Sequence, residues 1–270
     1  MSFADSADFQ AACLALGHKR AMFRGSCFVV DESAGNVHYA PALAKCTHLP
    51  AYMPEPGVPQ LAIFNLPQQL LFFRDAVITW GWSIVDLYLG GGRDDPSTAV
   101  YPTPNHEAGW YWVFKGQKYG PIPMKSTGYS LWLAQIVPND FGVQCLTYGI
   151  NFPGSSTYYG LIDRSCTWNP STPLYPLCEY RSTKRTYRVV KVDERAIEPL
   201  LLLNATHTHR ITCIRACRDN WVCGSVAYNA ITHDCRLQFT DDSLNVPAAF
   251  ESAVGYKMYQ VEDTFETVLN

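Results

Sequence analysis

The chain has 270 residues, 47% of them hydrophobic, with 21 basic and 24 acidic side chains and a formal charge of −3. That balance excludes a global field aimed at nucleic acid or at acidic substrates, and the length suits two domains better than one. Ten cysteines stand at positions 13, 27, 46, 145, 166, 178, 213, 217, 223 and 235; an even, clustered set points to disulfides and an oxidising compartment.

The opening MSFADSADFQ has neither a basic n-region nor an apolar h-region and is taken as a mature or trimmed start of a secreted chain. The longest apolar run, LLFFRDAVITWGW, is broken by Arg74 and Asp75, short of the roughly 18 residues a membrane span needs. The terminal EDTFETVLN lacks a lipid-anchor tail.

Residues 27–30 (CFVV) form a predicted strand, and a short helix is expected from His38 to Cys46. After the Pro-rich LPAYMPEPGVPQ, Asn65 is placed to cap a second helix with Pro67 in its first turn. Leu66, Leu70, Phe73 and Val77 then recur at helical spacing. IVDLYL (84–89) predicts a strand ending at the glycine triplet, followed by a long loop. WYWVF alternates as a strand with Trp110, Trp112 and Phe114 on one face, and QCLTYG, TYYGLI and LYPLCEY predict three more strands. The pattern changes after Tyr180. RSTKRTYRVVKV holds five basic residues and no acid, THRITCIRACRDN suits a helix, and CGSVAYN, DCRLQF and VGYKMYQ suit strands. The domain boundary is placed between 180 and 186.

Four groups of residues carry candidate chemistry. IVPNDFGVQC holds Asn139 and Asp140, and calcium takes about six to eight oxygens from such loops. Asp94, Asp95 and Glu107 form a second carboxylate set in the long loop, a possible metal site or polar ligand edge set against a solvated turn-rich loop. Tyr101, Tyr158 and Tyr159 lie near loops, where aromatics make contact surfaces. Arg181, Lys184, Arg185, Arg188 and Lys191 offer a site for sulfated polysaccharide, against the alternative of a solvated strand edge. Asn204-Ala205-Thr206 is a glycosylation sequon, whereas Asn169-Pro170-Ser171 is blocked by its proline.

One helix pair, short strands, long loops and closely spaced late cysteines make residues 13–180 resemble a C-type lectin-like domain of the long form. QLAIFNLPQQLLFFRDAV resembles its link into the second helix, DLYLGG its Trp-Ile-Gly-Leu strand, WYWVFKG its Trp-x-Trp and Gly turn, and QCLTYG with RSCTWNPSTPLYPLCEY its closing segment. The resemblance implies an α+β, disulfide-rich fold of two helices, short antiparallel strands and long loops. It also implies the bridges Cys13–Cys27, Cys46–Cys178 and Cys145–Cys166. In sugar-binding members, calcium is held by Glu-Pro-Asn, by a second Glu and by the Asn-Asp of Trp-Asn-Asp. Here the first Glu is Val137, Pro138 and Asn139 are kept, the second Glu is Val143, and the triplet is Leu161-Ile162-Asp163. Asn139 and Asp163 together give one formal negative charge, and calcium affinity follows carboxylate count. The usual calcium-dependent sugar site is therefore expected to be lost.

Cys213-x3-Cys217-x5-Cys223-x11-Cys235 sets one helix face, with its two cysteines a turn apart, against two strands. With CGSVAY and CRL, residues 184–262 resemble a PAN/apple module, a small α+β unit with one helix on a curved antiparallel sheet. That resemblance implies Cys213–Cys235 and Cys217–Cys223. The terminal pair of full apple domains is missing. A zinc site from these thiolates, or from His207, His209 and His233, is disfavoured because only one pair has knuckle spacing.

No nucleophile elbow, P-loop, dinucleotide fingerprint or His-Glu-x-x-His is found. The expectation is a secreted, non-enzymatic recognition protein with no cofactor, binding glycan or glycoprotein through residues 13–180, flanked by an N-terminal segment (1–12) and a C-terminal tail (263–270). The alternative is a structural or assembly protein of an extracellular matrix or fluid complex, using both modules for protein–protein contacts.

Overall fold

A computed structural model describes residues 4–16, 19–23, 25–32, 37–47, 59–64, 67–94, 109–114, 116–119, 144–151, 158–167, 174–181, 187–191, 201–206, 209–219, 223, 225–238, 256–263 and 268–269. Its elements form a disulfide-rich α+β arrangement built on two sheets. All ten cysteines are paired, as Cys13–Cys27, Cys46–Cys178, Cys145–Cys166, Cys213–Cys235 and Cys217–Cys223.

Helix α1 (Ala4–Ala15) is the first element and covers most of the N-terminal segment. Its sequence, ADSADFQAACLA, is rich in alanine, the best helix former. Phe9 and Cys13, at i and i+4, are buried. The first sheet therefore has three helices beside it, where two were expected; the others are α2 (Tyr39–Thr47) and α3 (Pro67–Thr79). In α3 the predicted stripe points inward: Leu70, Phe73 and Val77 are buried, while Ile78 faces solvent. Leu66 and Asn65, the expected cap, lie outside the described residues.

Ten strands make the first sheet. Strands β1 (Lys19–Phe23) and β2 (Ser26–Val30) form a hairpin. At its centre β9 (Leu174–Arg181) receives β2 and the short β3 (Gln60–Leu61) antiparallel, and β4 (Ile84–Arg93) parallel. Buried Glu179 fastens this junction: its carboxylate accepts from Ser26 Oγ at 2.7 Å and from the Ile63 amide at 3.3 Å. On β4 stand β5 (Trp110–Phe114), which carries β6 (Gln117–Tyr119), and β7 (Gln144–Asn151), which carries β8 (Tyr158–Ser165). Tyr148 donates from its hydroxyl to the Leu70 carbonyl at 2.6 Å, tying β7 to α3. Phe28, Phe64, Phe73, Trp110 and Trp112 fill the core between them.

Strand β4 does not stop at the glycines, as its sequence implied, but runs through them to Arg93. The reason is crowding. A Cβ on Gly90 would come within 2.8 Å of the Leu61 carbonyl, one on Gly91 within 2.8 Å of the Tyr111 carbonyl, and one on Gly92 within 2.7 Å of the Gln144 carbonyl. The pairing with β7 shifts register between Tyr88 and Gly92, and glycine in a strand marks such bulges and close approaches. Because each neighbour is main chain and cannot swing aside, Gly92→Ala is expected to lower the unfolding free energy by about 1–3 kcal/mol. Urea titration checks this, and an unchanged midpoint would contradict the packing argument.

The second sheet has the order β10 (Tyr187–Lys191), β14 (Tyr256–Asp263), β12 (Ser225–Asn229), β13 (Asp234–Gln238) and β11 (Leu201–Thr206). Helix α4 (Arg210–Asp219) is stapled to β13 by Cys213–Cys235, and Cys217–Cys223 closes the segment before β12. Cys213, Cys217, Val226, Cys235, Leu237 and Tyr259 form the small core beneath it. Past this sheet, β15 (Val268–Leu269) pairs antiparallel with β1, Ala21 facing Leu269 and Met22 facing Val268. The region expected to be a plain C-terminal tail thus adds an edge strand to the first sheet.

Candidate functional site

Of the carried-over calcium ligands, Asp163 is the one among the described residues. It lies in β8 opposite Leu146, on the sheet face shared with Leu161, and is 4% exposed. Its carboxylate is therefore an interior group of the β7–β8 ladder. Asn139 and Asp140 lie outside the described residues, as do Tyr101, Asp95, Glu107, Lys184, Arg185 and His207.

On the opposite face of β8, Arg164, partly exposed, pairs with the buried carboxylate of Asp86. Arg164 Nε and Nη2 reach Asp86 Oδ2 at 2.8 and 2.7 Å. Burial pushes the Asp86 carboxyl above its usual range, and Arg164 pulls part of the way back. Room for the carboxylate comes from Gly149, where a Cβ would sit 3.1 Å from Asp86 Oδ1 and 2.6 Å from Ile162 Cδ1.

A second charged group is open to solvent. Asp94 follows β4 directly and accepts from Tyr111 Oη at 2.9 Å and from Lys118 Nζ at 2.6 Å. The Lys118 ammonium also lies 4.3 Å from the centre of the Tyr111 ring. The side chains of Asp94 and Lys118 are 62% and 53% exposed, so water screens the pair and it adds little stability. The hydrogen bond from Lys118 lowers the Asp94 carboxyl and raises the ammonium, while burial and the Asp94 bond raise the Tyr111 phenol. Asp94, singled out as a metal ligand or polar edge, faces an ammonium. Among the described residues no group of three or more His, Cys, Asp or Glu is arranged to hold a metal ion.

Sequence reasoning passed over Tyr111 and Lys118, although a signal was present. Trp110 and Trp112 are buried in β5, which by alternation turns Tyr111 to the other face. The Gly116 turn, at φ 74°, then sets Val113 opposite Lys118.

Tyr159 is partly buried against the core, 5.3 Å from the Arg74 guanidinium, and Tyr158 begins β8. Asn204 lies in the edge strand β11, opposite Arg236. In the basic run, Arg181 ends β9, and Arg188 and Lys191 stand in β10 opposite Glu262 and Tyr259. Among the described residues no helix is long and apolar enough to cross a membrane.

No protein-family model and no curated protein matches the chain. Solved structures similar to it include two of human lithostathine. One has 12% identity over 61% of this chain and 98% of that one, with a TM-score of 0.36. The other has 12% identity over 64% and 94%, with a TM-score of 0.37. A crystal structure of CEL-IV has 13% identity over 62% and 94%, with a TM-score of 0.40. These are distant likenesses in the course of the chain, from which nothing about ligand or mechanism follows.

Proposed function

We propose that the chain is a secreted, non-enzymatic recognition protein that binds a glycan or glycoprotein without calcium. In this reading residues 13–180 form a C-type lectin-like domain and residues 184–262 a PAN/apple-like module. The observation that carries the reading is the exposed Asp94–Tyr111–Lys118 cluster. It offers a carboxylate acceptor, a phenol and an ammonium donor around one aromatic ring, and saccharide hydroxyls need such paired donors and acceptors. Its three residues come from just past the end of β4, from β5 and from β6, and buried Trp110 and Trp112 anchor β5, so its geometry is set before a ligand arrives. Five disulfides support an extracellular setting.

Glycan-array binding with and without a chelator tests this. Binding is expected to survive chelation. Asp94→Asn is expected to weaken it roughly tenfold, the worth of a charge-assisted hydrogen bond. Chelator-sensitive binding would overturn the calcium-free reading. No glycan binding, with a protein partner recovered instead, would favour the assembly protein. That second reading has its own observation: Ile78 and Ile84 are 50% and 47% exposed beside Trp80 and Trp82, an apolar stretch suited to a protein partner.

A further inference from the structure

A cleft of about 340 Å³ opens on the second sheet where α4 begins. It is lined by Tyr228, Tyr259, Ala230 and Ile211, with His209, Arg210 and Lys257 as its basic side chains. Among the described residues no carboxylate lines it. Lys257 makes no ion pair among those residues. Arg210 is held by a neutral group: its guanidinium lies 5.3 Å from the centre of the Tyr259 ring, and Nη1 donates to Tyr259 Oη at 3.3 Å. That contact fixes the position of the charge without cancelling it. The first turn of α4 contains no acidic residue, so the positive helix end adds to the same field.

Apolar walls with a few convergent polar groups are the usual build of a small-ligand site, and this volume is at the small end of the range. A compact body that packs on aromatic faces therefore suits the cleft, and Arg210 and Lys257 favour one that carries a negative charge. The Tyr228 hydroxyl, 3.2 Å from His233 Nδ1, and the Tyr259 hydroxyl supply neutral hydrogen-bonding groups for such a body. An extended acidic peptide would bring several charges to a cleft sized for one unit. We propose that the cleft binds a single sugar unit carrying a carboxylate or a sulfate. The site is separate from the Asp94 cluster and stands or falls without it.

The full chain should be titrated with a sulfated disaccharide, a uronate disaccharide and their neutral parent. At least one charged probe is expected to bind, and the other shows which anion is preferred. The neutral parent is expected to bind at least about tenfold more weakly, since it forgoes charge-assisted hydrogen bonds. Lys257→Gln and Arg210→Gln should each weaken the charged probe about tenfold on the same ground, and Ala230→Trp should block it by filling the cleft. Lys257 is exposed, so its substitution tests the site even where the tryptophan variant fails to fold. Four results would overturn the proposal: no charged probe binds; the neutral parent binds equally; an oligoglutamate peptide binds as well as the sugars; or the Lys257 and Arg210 variants bind normally while Arg188→Gln with Lys191→Gln does not.

Discussion

Replacing Cys46 and Cys178 together by alanine is expected to lower the unfolding free energy by about 5 kcal/mol, through the loop entropy returned to the unfolded chain. The bridge spans 132 residues, the widest separation among the five, and joins α2 to the central strand β9. Both cysteines are fully buried beside Leu61, Tyr88 and Leu174. The comparison that isolates the loop effect is Cys217–Cys223, which spans 6 residues; its removal is expected to cost about 2 kcal/mol on the same basis. Guanidinium titrations of the two double-alanine variants measure both. Equal losses would mean that local packing, and not loop closure, sets the value of these bridges.

How much of this architecture the sequence discloses depends on whether a feature is local. Helix α3 was legible because Leu70, Phe73 and Val77 repeat at the helical period and all meet the core. Helix α4 was legible because the spacing of Cys213 and Cys217 fits one helix face, whereas strand β11 of the second sheet was not read from the sequence. Helix α1 was missed because its sequence shows no sustained apolar stripe; Phe9 and Cys13 are the buried residues among its described side chains. The course of β4 was misjudged because a glycine run looks like a stop; only the neighbouring carbonyls of Leu61, Tyr111 and Gln144 explain it as a strand. Strand β15 is two residues long and has no periodicity to find.

The candidate sites divide in the same way. The expectation of a lost calcium site rests on a resemblance at Val137 and Val143, which lie outside the described residues, whereas the interior position of Asp163 follows from its register with Leu146. Asp94 was visible as a carboxylate in a loop, but its partners come from the β5–β6 hairpin, where Val113 faces Lys118, and the β4–β5 pairing of Arg93 with Trp110 brings that hairpin beside it. Convergence of Arg210 and Lys257 likewise requires the β12–β14 pairing, which sets Lys257 opposite Tyr228.

Arg164→Met is expected to cost about 3–5 kcal/mol at neutral pH, because it strands a buried carboxylate without its counter-charge. The side chain of Asp86 is 5% exposed and that of Arg164 25%, so the acid depends on the pair more than the base does. Pairing Arg164→Met with Asp86→Leu is therefore expected to recover most of the loss, since a buried ion pair replaced by apolar groups is often neutral. The pH dependence separates charge from packing. Burial holds the folded-state Asp86 carboxyl above its unfolded value of 3.8. Between those two values the folded chain binds more protons than the unfolded one, so Asp86 adds stability as pH falls through the window and withdraws it as pH rises. Without Arg164 the carboxyl rises further, which widens the window and deepens the withdrawal at neutral pH. The gap between the wild-type chain and Arg164→Met should consequently shrink as the solution is acidified toward the unfolded value. Denaturant midpoints at a series of pH values measure it. A gap that stays constant would show that Arg164 contributes its packed stem and not its charge.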